Sequence, residues 1–290
     1  MNAGEKVSEP CFLCPHKCGV DRSAARGRCR CGDEMKICRI APHYYEEPEI
    51  SGDKGSGTVF FSGCSLDCEF CQNYRISKNY VGKRYSPAEL AEEIKKLEQA
   101  GVHNINFVTP THFSDKIRQT LDIYRPRIPI VYNTSGYELP EVIKKMNDYV
   151  DIYLTDFKYS DNETAFRFSK IKNYFDYCME STKLMIKSKP AVYENGLMKQ
   201  GVIIRHLVLP GQLDNTFAFI DLYKKNFFGK AKLSVMSQFV PFYRSTIKRS
   251  LKPLENKLVE NYLLKNGIDD CYVQELSSAS DTFVPDFITD

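Results

Sequence analysis

Nine of the eleven cysteines fall before residue 72, and that distribution constrains the chain more than any other feature. They form two groups: Cys11, Cys14, Cys18, Cys29, Cys31 and Cys38, then Cys64, Cys68 and Cys71. The opening residues, Met1-Asn2-Ala3-Gly4-Glu5-Lys6, carry no apolar stretch of the kind a secretory signal needs, so the cytoplasm is the expected location. Thiols stay reduced there, which makes a disulfide framework a poor explanation and metal binding the better one. Cys178 and Cys271 stand apart and read as packing or inert thiols.

The remaining composition narrows the partners. A chain of 290 residues can bury a core without staples, as one large domain or two small ones. Hydrophobic residues at 42% and charged residues at 27% describe an ordinary globular protein and exclude disorder as the main state. Forty basic against thirty-seven acidic residues leave +3, too balanced to argue for nucleic acid or a membrane surface as partner. No apolar run reaches the ~18 residues of a transmembrane helix.

Up to about residue 50 periodicity is weak, which predicts a small cysteine-rich metal-binding lobe (1–50). Beyond it, strands and helices alternate. Strands are expected at 58–61, 105–108, 128–132, 152–154, 202–208 and 232–236, with Pro129 weakening the third. Helices are expected at 114–124, 140–147, 174–187, 216–226 and 255–265. The best-marked helix starts at Ser86-Pro87-Ala88-Glu89, a capping box with proline in the first turn. It presents Leu90, Ile94 and Leu97 on one face and stops at Gly101. Six strands separated by helices predict a parallel α/β sheet with right-handed crossovers, and both an open doubly wound sheet and a partial barrel fit. In either, function gathers at the C-terminal ends of the strands. The polar groups there are Thr109 to His112, Asn133 to Gly136, Asp156 to Lys158, Leu209 to Gly211, and Gln238. Residues 51–245 are read as the barrel and 246–290 as a helix and tail packed on it.

Just past the first of these strands stand Gly63-Cys64-Ser65-Leu66-Asp67-Cys68-Glu69-Phe70-Cys71-Gln72-Asn73. Three cysteines spaced C-x3-C-x2-C on one loop can hold three irons of a [4Fe–4S] cubane, leaving the fourth iron open to a small molecule. Structural zinc sites are instead closed by four protein ligands.

With its aromatic Phe70 before the third cysteine, the loop resembles the signature of the radical S-adenosylmethionine (radical SAM) superfamily. The stretches 11–22, 56–63, 103–112, 133–137, 205–211, 274–280 and 285–287 are similar to the subgroup of pyruvate formate-lyase activating enzyme-like proteins. The resemblance implies a partial (β/α)6, TIM-like barrel. It also implies a radical SAM oxidoreductase in which a [4Fe–4S] cluster reductively cleaves S-adenosylmethionine to a 5′-deoxyadenosyl radical that abstracts hydrogen from a substrate. It further implies a reductant such as flavodoxin or ferredoxin, and a protein, peptide or small-molecule substrate.

Matching position by position, the resemblance makes Cys64, Cys68 and Cys71 the cluster ligands. Phe70 would lie toward the adenine, with Asn73 near the loop. Thr109 and Thr111 stand where relatives carry a glycine-rich acidic motif for the methionine amino group. Asn133 and Ser135 would face the ribose, and Asp156, Lys158 and Arg205 the methionine carboxylate. Each has a plainer reading. Asp156–Lys158 could be a surface pair and Arg205 a structural ion-pair partner, and His112 and His206 read as satisfied rim histidines.

In the lobe, Cys11, Cys14, Cys18 and Cys29 supply four thiolates at a spacing suited to zinc, and nearly as well to an auxiliary iron–sulfur cluster, with Cys31 and Cys38 surplus. Within the enzyme reading, activation of a glycyl radical enzyme stands beside modification of a small molecule, peptide or protein side chain. The alternative of another class is a non-catalytic cysteine-rich metal-binding adaptor.

Overall fold

The computed structural model describes residues 10–278 and 285–287. Residues 1–6, used above for the location, and Ala279 and Ser280 of the C-terminal stretch lie outside them.

The first strand is β1 (Met35–His43), followed by α1 (Pro48–Ser51), β2 (Ser56–Phe61), α2 (Tyr74–Ser77), β3 (Lys83–Tyr85), α3 (Pro87–Gln99) and β4 (Ile105–Val108). Next come α4 (Ser114–Ile123), β5 (Ile130–Thr134), α5 (Pro140–Met146), β6 (Ile152–Asp156), α6 (Asn162–Ser169) and α7 (Tyr174–Ser188). The chain continues through β7 (Val192–Glu194), β8 (Leu197–Leu207), α8 (Leu213–Asn226), β9 (Lys232–Met236), α9 (Pro253–Lys265) and β10 (Cys271–Val273). Among the described residues the sheet order is β10-β9-β8-β6-β5-β4-β2-β1-β3, with β7 paired to β8.

The six expected strands are β2, β4, β5, β6, β8 and β9, and each pairs in parallel with its neighbour in that order. The result is an α/β fold around an open, mostly parallel sheet, the partial-barrel arrangement. These strands are buried on both faces, so their sequences do not alternate apolar with exposed polar residues: every residue of β2, β4 and β5 is buried, Ser56, Thr58, Asn106, Asn133 and Thr134 included. The third strand starts at Ile130 rather than 128, which puts Pro129 just outside the ladder.

Helix α3 forms as its signals require. Glu89 N donates to Ser86 Oγ at 3.2 Å, Ser86 N donates to Glu89 Oε2 at 2.8 Å, and Leu90, Ile94 and Leu97 are buried. Helix α6 was not expected. Its start is marked by Asp161, whose carboxylate accepts from Thr164 N at 2.7 Å.

β1 lies inside the expected lobe, yet it pairs antiparallel with β2, so the sheet crosses residue 50. Its mixed sequence, with Lys36, Arg39 and Pro42 among the apolar residues, carries no clean alternation, and a register shift between Ile37 and Arg39 interrupts the pattern. No helix among the described residues is long and apolar enough to cross a membrane.

Candidate active site

The C-terminal ends of the parallel strands open on a cavity with the three-cysteine loop at one side. The loop leaves β2 through Gly63, whose φ of +80° is a left-handed conformation. A Cβ there would collide with Cys31 Sγ and approach the Cys29 carbonyl, so the loop rests directly on the lobe. Other contacts agree. Cys64 N donates to Cys29 O at 3.3 Å, the His16 ring bonds Ser65 O at 2.7 Å, and Arg30 pairs with Asp67 at 2.9 Å. Arg22 of the lobe donates to His112 O at 2.5 Å, tying it to the end of β4.

Cys64, Cys68 and Cys71 all line the cavity. Each sulfur has a polar neighbour. Leu66 N donates to Cys64 Sγ at 3.4 Å, Ser169 Oγ to Cys68 Sγ at 2.9 Å, and Cys71 Sγ lies 3.2 Å from Ser77 Oγ. Burial pushes the Cys64 thiol up to about 12, against the pull of the nearby Lys78 ammonium. Lys78 itself is nearly buried and pairs with Asp67 at 2.9 Å. A metal group that takes up the charge favours the thiolate of a Cys64 held this deep, which suits a cluster ligand. Asn73 Oδ1 lines the same cavity, buried and without a hydrogen-bond partner. Three sulfurs, a cation behind them and an unpaired acceptor beside them fit a cluster with a polar ligand on its open side.

Across the cavity lies a buried ionic network. Arg205 donates from Nε to Asp156 Oδ1 at 2.9 Å, from Nη1 to Glu46 Oε2 at 3.1 Å and from Nη2 to Asn133 Oδ1 at 2.7 Å. Lys158 Nζ reaches Asp156 Oδ2 at 2.5 Å. Asp156–Lys158 is therefore a cavity pair rather than a surface pair. Burial would raise the Asp156 carboxyl, but the Arg205 and Lys158 charges hold it below the usual carboxylate range. Glu46 is pushed the other way: burial raises it, and Arg205 only partly offsets that.

Phe70, Asn73, Thr109, Asn133, Ser135, Asp156, Lys158 and Arg205 all line the cavity with the cysteines. Thr109 holds φ +60°, a strained conformation for a β-branched residue. Thr111 is different. Its hydroxyl donates to the buried Glu138 at 2.6 Å, and Thr134 bonds the same carboxylate, so Thr111 sits behind the wall. His206 is a packing residue, stacked on Phe219 at 4.2 Å and bonded to Phe157 O at 2.7 Å.

Glu46, Lys78, Ser77 and Ser169 escaped sequence reasoning. Each comes from a short connector or a helix end, where spacing carries no signal. Leu207 and Met236 form an apolar part of the cavity wall, and Pro285 lines it too.

Among the described residues, no three Cys, His, Asp or Glu side chains stand close enough to share one metal ion. In the lobe, a Cβ on Gly27 would stand 3.4 Å from both Cys18 Sγ and Cys29 Sγ, so these two expected ligands lie near each other. Cys14 and Cys29 are buried while Cys18 is exposed.

The family model described as the Radical SAM superfamily matches residues 58–221. The chain is 36% identical over 260 residues to the uncharacterized protein MJ0674 of Methanocaldococcus jannaschii, covering 84% of this chain and 70% of that protein. Among solved structures it resembles a radical SAM methyltransferase from Sphaerobacter thermophilus, with a TM-score of 0.53 at 15% identity, over 77% of this chain and 68% of that one. It also resembles Streptococcus suis SuiB bound to S-adenosylmethionine, with a TM-score of 0.50 at 12% identity, over 77% of this chain and 48% of that one. At these identities the two structures speak for the fold.

Proposed function

Because the chain belongs to the radical SAM superfamily, an enzyme family that uses a [4Fe–4S] cluster and S-adenosylmethionine, we propose that Cys64, Cys68 and Cys71 carry the cluster and that the adjoining cavity holds the nucleotide and the substrate. The observation that carries this reading is the three-cysteine loop opening on a cavity floored by paired buried charges. The reduced cluster and S-adenosylmethionine together supply a 5′-deoxyadenosyl radical, which takes a hydrogen atom from the substrate.

The chain's own residues bind and orient. Lys158 and Arg205 offer cationic donors to the methionine carboxylate, with Asp156 and Glu46 fixing the guanidinium. Thr109, rather than Thr111, serves the amino group. Asn133 and Ser135 serve the ribose, Phe70 the adenine side, and Asn73 offers its unpaired oxygen. Leu207 and Met236 keep water from the reacting end.

The substrate is a small molecule, a peptide or a protein side chain, and a backbone glycine of a glycyl radical enzyme belongs to the same set. Oxygen-induced cleavage of such a partner, seen on a gel, would single out the activase. Family membership displaces the adaptor alternative. For the lobe we retain a zinc ion or an auxiliary iron–sulfur cluster on Cys11, Cys14, Cys18 and Cys29. Four irons with one zinc, or more than four irons, per chain after anaerobic reconstitution supports it, and exactly four irons with no zinc removes it. The setting is the reducing cytoplasm, with flavodoxin or ferredoxin as reductant.

The test of the core reading is 5′-deoxyadenosine formation by reconstituted protein with dithionite and S-adenosylmethionine. Cys68→Ala is expected to abolish both the cluster absorbance and that product. Product formation unaffected by Cys68→Ala would overturn the ligand assignment.

A further inference from the structure

The cluster loop turns its outer side toward a basic face. Behind Cys68 the loop is pinned to the end of α6: Asp67 N donates to Ser169 O at 3.2 Å, and Glu69 N to Phe168 O at 2.9 Å. Ser169 Oγ bonds Cys68 Sγ at 2.9 Å. The next residue, Lys170, is exposed, so the Cys68 sulfur stands one hydrogen bond and one residue from the surface.

At that point an open groove runs between the lobe and the connection from α6 to α7. Arg28, Lys170 and Lys172 line it, all exposed, and no carboxylate does. Exposed Phe166 adds an apolar contact, with Lys172 Nζ 5.9 Å from its ring centre. Arg167, on the last turn of α6, is also exposed. The whole chain carries only +3, so this is a local concentration of charge.

We propose that this groove is the docking face for an acidic one-electron carrier protein, whose electron enters through Lys170, Ser169 and Cys68. The step moves one electron. The carrier's redox group is oxidised by one and the cluster reduced by one, with no atom or proton transferred. Two physical arguments carry it. Electron tunnelling falls steeply with distance, and here the Cys68 sulfur lies one hydrogen bond and one residue from an exposed lysine. A cationic groove with an apolar contact also selects an acidic protein and speeds its encounter. The proposal rests on the cluster assignment made above.

The test uses the reconstituted full-length protein, with flavodoxin and, separately, ferredoxin as probes. Calorimetry at low salt measures binding of the oxidised carrier. Stopped-flow absorbance measures cluster reduction by the reduced carrier and by dithionite. For Lys170→Glu/Lys172→Glu, affinity for the carrier and carrier-driven reduction are expected to fall about tenfold or more, with dithionite reduction unchanged. Arg28→Glu is expected to do the same to a lesser degree. Wild-type reduction by the carrier is expected to slow as salt rises.

Carrier binding and reduction within about twofold of wild type in the double variant would overturn the proposal, as would an equal loss on Lys144→Glu/Lys145→Glu, on exposed positions of α5. An acidic protein that binds the groove without changing cluster reduction would also overturn it. Failure of dithionite to reduce any cluster in the wild type would instead bring down the site assignment itself.

Discussion

The Ser169 hydroxyl donates to the Cys68 sulfur at 2.9 Å from the last residue of α6, far from the cluster loop in sequence. Hydrogen bonds to ligand sulfurs stabilise the reduced cluster and raise its potential. Ser169→Ala is therefore expected to make the midpoint more negative by up to about 40 mV, taking the bond at ~1 kcal/mol and 59 mV per tenfold for one electron. A potentiometric titration followed by electron paramagnetic resonance checks this. A midpoint that is unmoved or more positive would count against the contact.

Gly63 lets the cluster loop lie on Cys31. An alanine there would meet both a left-handed φ and the Cys31 sulfur. The two strains together cost about 2–5 kcal/mol. Gly63→Ala is expected to lower the melting temperature and to lose most of the iron bound on reconstitution. Iron content equal to wild type would show that the loop does not need the lobe beneath it.

Arg205 stands between the buried carboxylates of Asp156 and Glu46. Arg205→Ala leaves both without their cation, at a cost of about 3–5 kcal/mol in unfolding free energy. Chemical denaturation reads this loss. A drop below ~1 kcal/mol would mean that the network is solvated in solution.

Much of the fold was legible because doubly buried strands are short, apolar and separated by well-capped helices. β2, β4, β5, β6, β8 and β9, and the capping box of α3, follow from those signals. β1 was not legible, since charged residues and Pro42 hide its pairing. At the site, the three cysteines announce themselves by spacing. Asp156, Lys158 and Arg205 could be placed only by resemblance. Glu46, Lys78 and Ser169 could not be found at all, because their roles depend on chain segments meeting in space.

Two buried groups set opposing pH dependences. Burial raises Glu138 to about 7 from its ordinary 4.5. Its folded form therefore holds the proton longer than the unfolded chain, and this stabilisation, full below 4.5, disappears as pH rises to 7. Burial lowers His206 to about 4 from 6.5, so its contribution is full above 6.5 and is lost as pH falls toward 4. Each amounts to about 3 kcal/mol, and they largely cancel between pH 4.5 and 6.5. Glu138→Gln keeps an acceptor for Thr111 but removes the titration. Its stability relative to wild type is expected to rise by about that amount from pH 4.5 to 7.5 in urea unfolding. Parallel curves for the two proteins would contradict the assignment.

The most direct test is electron paramagnetic resonance of the anaerobically reconstituted, reduced protein before and after S-adenosylmethionine is added. The account predicts a cluster signal that changes on addition, because an iron free of protein sulfur takes the nucleotide's amino and carboxylate groups. A signal identical with and without the nucleotide would contradict it.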